Sequence, residues 1–174
     1  MKLKNLPLML AMAAGLASAA AQAATTGTLR FVGQVNAGTC NLAAGDANRT
    51  ITLPTIKISD LDSSAYAGRF DFDISADCES DIRNVIFLFA GTPDTGNRLL
   101  FANTGTSKGT ALWLLSRGPD ATLPADGTDA QRSRTVPTSA GKAVLRLSAA
   151  YHKNGIAITQ GTLASAATVS ITYN

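Results

Sequence analysis

Apolar residues in this chain recur at every second position in short segments, and no ten-residue window carries a convincing apolar stripe at 3.6-residue spacing. Leu29, Phe31, Gly33 and Val35 alternate with Arg30, Val32 and Gln34. Ile51 and Leu53 alternate ahead of Pro54. Phe70, Phe72, Ile74 and Ala76 alternate with Asp71, Asp73, Ser75 and Asp77. Residues 85–90 and 112–115, the latter around the only tryptophan, Trp113, are short continuous apolar runs of the kind fully buried strands show. A long alternating segment with Val144, Leu145, Leu147, Ala149 and Tyr151 stops at Asn154-Gly155, and Val169, Ile171 and Tyr173 alternate at the end. Turn chemistry fills the gaps, as in Gly91-Thr92-Pro93-Asp94, Arg117-Gly118-Pro119-Asp120 and Pro124-Ala125-Asp126-Gly127. Residues 61–67 offer a short helical turn and nothing longer. The pattern predicts an all-β sandwich in one domain, with six or seven strands.

The first residues read as an address. Lys2 and Lys4 precede a largely apolar stretch over 6–16, and Ala21-Gln22-Ala23 is a small-x-small cleavage site, so residues 1–23 are expected to be a secretory signal peptide. The stretch is interrupted by Pro7 and Gly15 and is short for a membrane span. Two of the three units of formal net charge come from Lys2 and Lys4, and no basic cluster with interleaved aromatics remains, so a nucleic-acid partner is not expected. In an exported chain the two cysteines, Cys40 and Cys78, predict one disulfide. Such a bridge stabilises by about 3–4 kcal/mol. Two cysteines and the single His152 do not make a four-ligand zinc site without carboxylates.

One segment sits awkwardly in an ordinary sandwich. The alternating 29–35 segment precedes the first cysteine and serves equally as the first strand of this domain or as a free arm. If it is a free arm, six strands remain where an immunoglobulin-like sandwich wants seven. A missing strand leaves an apolar groove and an unpaired sheet edge.

The fragments GTLRFVGQVNAGTC, FDISADC, FLFAGT, LRLSAAYH and ATVSITYN, with its penultimate tyrosine, occur in order along the chain after residue 23. As a set they resemble the type 1-like fimbrial pilins of the chaperone–usher pathway. The resemblance implies an incomplete immunoglobulin-like β-sandwich of six strands (residues 36–174) preceded by a donor-strand extension (residues 24–35). In that family the extension of one subunit completes the groove of its neighbour, a case of β-strand addition. It implies as partners neighbouring pilin subunits, a periplasmic chaperone that contacts the C-terminal strand, and an outer-membrane usher, with export to a surface fimbria that supports adhesion or biofilm formation. No cofactor is implied.

The residues suit those roles. Leu29, Phe31 and Val35 give a donor strand one apolar face, and Gly33 on that face allows close backbone approach. The alternative for Gly33 is a bulge in a native first strand. Val169, Ile171 and Tyr173 are the candidate groove wall and chaperone contact; a core-facing final strand has the same alternation. The length fits a shaft or adaptor subunit and falls well short of a two-domain tip adhesin.

Other classes find little support. Gly105-Thr106-Ser107-Lys108-Gly109 matches a nucleophile elbow, with Asp120 or Asp126 and His152 downstream, but the elbow needs a strand before and a helix after on a parallel sheet. No catalysis is expected. Asp71, Asp73, Asp77, Glu79 and Asp81 lack a calcium-loop arrangement, and the first two alternate with apolar residues as a solvated strand face does. A monomeric secreted binding module, such as one for carbohydrate, would need seven strands of its own and an exposed aromatic platform; Trp113 lies within an apolar run and is expected to be buried. Asn48-Arg49-Thr50 matches a glycosylation sequon that would be accidental in a bacterial pilin.

Overall fold

A computed structural model describes residues 28–118 and 120–174. The expected signal peptide and the first residues of the extension, 24–27, lie outside them. The chain divides into two units, residues 1–35 and 36–174.

The second unit is nearly all β. Its strands are β1 (Cys40–Leu42), β2 (Tyr66–Cys78), β3 (Asn84–Gly91), β4 (Thr110–Ser116), β5 (Ala121–Thr122), β6 (Ser133–Pro137), β7 (Lys142–Lys153) and β8 (Ala167–Tyr173). A 3-10 turn spans Ile58–Leu61, and one helical turn, α1, spans Asp129–Arg132. One sheet runs β1-β2-β7-β4-β5 and the other β6-β3-β8, with every pairing antiparallel. The alternation explains how they face each other. Ile74 and Ala76 of β2 and Ala143, Leu145, Leu147 and Ala149 of β7 meet Val85, Phe87 and Phe89 of β3 in one buried cluster. Burying a side chain such as Phe87 contributes about 1.5–3 kcal/mol.

β2 and β7 slip register between Ala67 and Phe70. Gly68 sits at the slip with φ +64°, and a Cβ there would press on Ile56 and the Tyr151 ring. Glycine is required on both counts, and the resulting bulge bends β2.

Residues 28–35 adopt no strand, and Leu29, Phe31 and Val35 are 80%, 90% and 98% exposed. Several expectations change. Residues 51–53 are extended but join no ladder. β6 joins the smaller sheet with a single large apolar residue, Val136, because the edge of β3 there is otherwise open. Trp113 is half-buried, not enclosed: Leu112 and Leu114 turn inward on β4, so Trp113 turns outward. There its ring lies 4.9 Å from Tyr66 and 5.4 Å from His152, and its Nε1 donates to Thr122 Oγ1. Among the described residues no helix is long and apolar enough to cross a membrane.

Candidate functional site

The two sheets do not close along the free edge of β8. A groove of about 610 Å3 opens there, floored by Phe72, Ile74, Phe89, Leu114, Leu147 and Ala149. One wall is residues 49–53 and the other is 163–167 with Val169. Both walls have unused main chain. β8 pairs only with β3, and none of the N–H or C=O groups of residues 50–56 is hydrogen-bonded among the described residues. Extended backbone left unpaired on both sides of an apolar floor is a template for one more strand.

The groove has one polar end. Arg49 donates to Asp46 Oδ1 (3.1 Å) and to the Asp73 carbonyl (2.7 Å), and its guanidinium lies 6.0 Å from the Phe72 ring centroid. Tyr151 lines the groove and also a second cavity of about 510 Å3, whose wall includes Lys57, Ser59, Ser107, Thr159 and Gln160.

Of the sequence-nominated residues, Val169 lines the groove, Ile171 packs on the core beside it, and Tyr173 is 38% exposed opposite Val85. Cys40 and Cys78 are disulfide-bonded and are register partners of β1 and β2. Leu29, Phe31, Gly33 and Val35 belong to the first unit, and Gly33 has open space where a Cβ would stand.

The residues nominated for chemistry have structural partners. Ser107 Oγ bonds to Thr110 Oγ1 (3.0 Å) and to the Thr159 carbonyl (2.9 Å), in a loop that leads into β4 and not into a helix. His152 Nδ1 donates to the Lys153 carbonyl. Asp71 takes part in an outer-face network: it accepts from Ser148 Oγ, and from Arg69 Nε at 3.3 Å, while Arg69 also grips Asp120 at 2.6 and 3.1 Å. The Ser148 hydrogen bond, then those from Arg69 and the nearby Arg117 charge, holds the Asp71 carboxyl below its ordinary value; Arg69 does the same for Asp120. No group of three or more possible metal ligands occurs among the described residues.

Sequence reasoning missed the second wall. Residues 163–167 are Leu-Ala-Ser-Ala-Ala, whose small side chains carry no period to read. It also missed Arg134, whose guanidinium donates to Ser116 Oγ (2.7 Å), the Ser133 carbonyl (2.6 Å) and the Thr122 carbonyl (2.9 Å), fastening the β4–β5 hairpin to β6. Burial pushes the pKa of that guanidinium down.

No protein-family model matches the chain. It is 32% identical over 89 residues to the fimbrial subunit ElfA of Escherichia coli K12, and equally to the laminin-binding fimbrial subunit ElfA of Escherichia coli O157:H7. Those alignments take in 49% of this chain and 50% of each relative, so the chain spans about half the length of both. Against the type-1 fimbrial protein A chain of Escherichia coli K12 it is 29% identical over 185 aligned positions, covering 99% of this chain and all of that one. The fold matches the P pilus rod subunit PapA, with a TM-score of 0.63 at 21% identity over 78% of this chain and 99% of PapA. A subunit from the structure of a chaperone–usher pilus gives the same TM-score and identity over 87% of this chain and 98% of its own. The chain thus shares its two-sheet fold with pilus subunits and aligns along its full length with a type-1 fimbrial protein.

Proposed function

We propose that the chain is a shaft or adaptor subunit of a surface fimbria, which lends residues 24–35 to the groove of one neighbour and receives the same segment of another in its own. The observation that carries this is the groove itself: an apolar floor between the unpaired segment 50–56 and the free edge of β8. The described part of the segment supports it, since Leu29, Phe31 and Val35 stand exposed at even spacing. Burying these three side chains contributes about 1.5–3 kcal/mol each. Main-chain bonds on both flanks add affinity, and the ordering of the segment opposes it. Because each contact is head-to-tail and does not close, the product is a filament.

In this reading the groove is filled by a periplasmic chaperone before assembly, and an outer-membrane usher delivers the subunit to the cell surface. The fimbria supports adhesion, a role that the laminin-binding name of one relative makes reasonable here. Binding and folding do the work, with no catalytic step.

The test uses the chain from residue 24 onward carrying Phe31→Asp, which disables its own segment at an exposed position. A peptide copying residues 25–37 is expected to raise its melting temperature by several degrees. The same peptide with Gly33→Leu is expected to have no effect. A melting temperature indifferent to both peptides would instead favour a self-sufficient binding module.

A further inference from the structure

One ring borders both the groove and the second cavity. Tyr151 of β7 is half-buried and is common to both linings, so it stands as a sill between the two spaces. The ring is backed on one side by the β2 bulge: a Cβ on Gly68 would come within 3.0 Å of its Cδ2 and 3.2 Å of its Cε2. Its main chain is fixed in the sheet between Ala67 of β2 and Leu112 of β4. On the groove side the next inward position of β7 is the small Ala149, so the floor drops away from the sill. On the other side the second cavity offers Ile56, Leu61, Ile158 and Ile58, the last 44% exposed.

Both walls continue past Tyr151. Residues 56–59 follow on from 49–53, and residues 158–161 lead into 163–167. A strand that pairs antiparallel with β8, as every strand pair among the described residues does, therefore runs along the groove toward the second cavity. The 24–35 segment carries apolar residues at 29, 31 and 35, with one glycine, Gly33, between the last two on the same face. We propose that Tyr151 is a specificity-determining residue of the groove: Gly33 of a second copy passes over its ring, with Leu29 and Phe31 seated in the groove and Val35 in the second cavity. This inference rests on the proposed function. Glycine lets the entering backbone approach the ring closely, whereas a side chain at 33 would meet a ring already backed by the bulge and overpack the site.

The experiment titrates fluorescent peptides copying residues 25–37 against the Phe31→Asp chain, with and without Tyr151→Ala. Gly33→Leu in the peptide is expected to raise Kd about ten- to hundredfold on the Tyr151 groove, the size of an overpacking penalty, and less than about threefold on the Tyr151→Ala groove. A penalty of equal size on both grooves overturns the role of Tyr151 and leaves the groove reading standing. Leu29→Ala in the peptide, away from the sill, is expected to cost the same on both grooves. An unequal cost there also overturns the inference, by showing that Tyr151→Ala reshapes the whole groove. Tyr151→Leu lowers the sill while keeping apolar cover over Gly68, and it takes the place of Tyr151→Ala if that variant does not fold; an undiminished Gly33→Leu penalty on it is equally decisive against the role. Failure of the native peptide to bind the Phe31→Asp chain removes both readings together.

Discussion

Phe89 and Val169 are register partners on β3 and β8, and both line the open groove. Across this pair the smaller sheet passes from closed core to unfilled space. Val169→Thr keeps the volume and places a hydroxyl on the apolar wall. The expected outcome is binding of the 25–37 peptide weakened by about 1–3 kcal/mol, the cost of burying a hydroxyl without a partner. Titration of the Phe31→Asp chain with and without Val169→Thr measures it.

The Cys40–Cys78 disulfide clips the three-residue strand β1 to the end of β2. So short a strand holds its register weakly without the bond. Replacing both cysteines by serine is expected to lower stability by about 3–4 kcal/mol, in line with the size of the loop it closes. Urea unfolding of the variant, and of the native protein with and without reductant, gives the value.

Arg134 joins the two sheets through carbonyl and hydroxyl acceptors, with no carboxylate among its hydrogen-bond partners in the described residues. Arg134→Met keeps much of the apolar stem and leaves those half-buried acceptors unmatched. A loss of about 2–3 kcal/mol is expected, read as a lower urea midpoint with an unchanged slope.

The folded pKa values of Asp71 and Asp120 lie below their ordinary value, the first chiefly through Ser148 and the second chiefly through Arg69. Between the folded and unfolded values the unfolded chain binds more protons, so stability rises with pH there. The contribution is fully present above the ordinary carboxylate value of about 3.9 and is lost as pH falls through the lower folded values. Arg69→Met with Ser148→Ala is expected to flatten this acid limb. Melting temperatures from pH 2 to 6 check it: the native protein should lose more on acidification than the double variant.

Much of this architecture was legible because burial on one face of a strand writes itself as alternation, which β2, β7 and β8 carry plainly, while β3 shows as a continuous apolar run. β6 was not legible: Ser-Arg-Thr-Val-Pro has one large apolar residue, and its place is decided by the open edge of β3. At 51–53 the alternation correctly marked inward-facing residues, but a ladder needs a neighbour and the groove holds none. Trp113 was misread because an apolar run does not say which side chain faces out; Tyr66 and His152, distant in sequence, shelter its ring. For Tyr151, the signal is one ring bordering two cavities, which no sequence pattern encodes.

The unused main chain on both walls of the groove has a mechanical consequence. A strand seated between residues 50–56 and β8 would be laced along both its edges, with hydrogen bonds lying across its length. A pull along that strand would load those bonds in shear, so many would have to break together before it slipped. Fluid drag on a tethered cell would then meet resistance from the whole length of each inserted strand, and not from its weakest single contact.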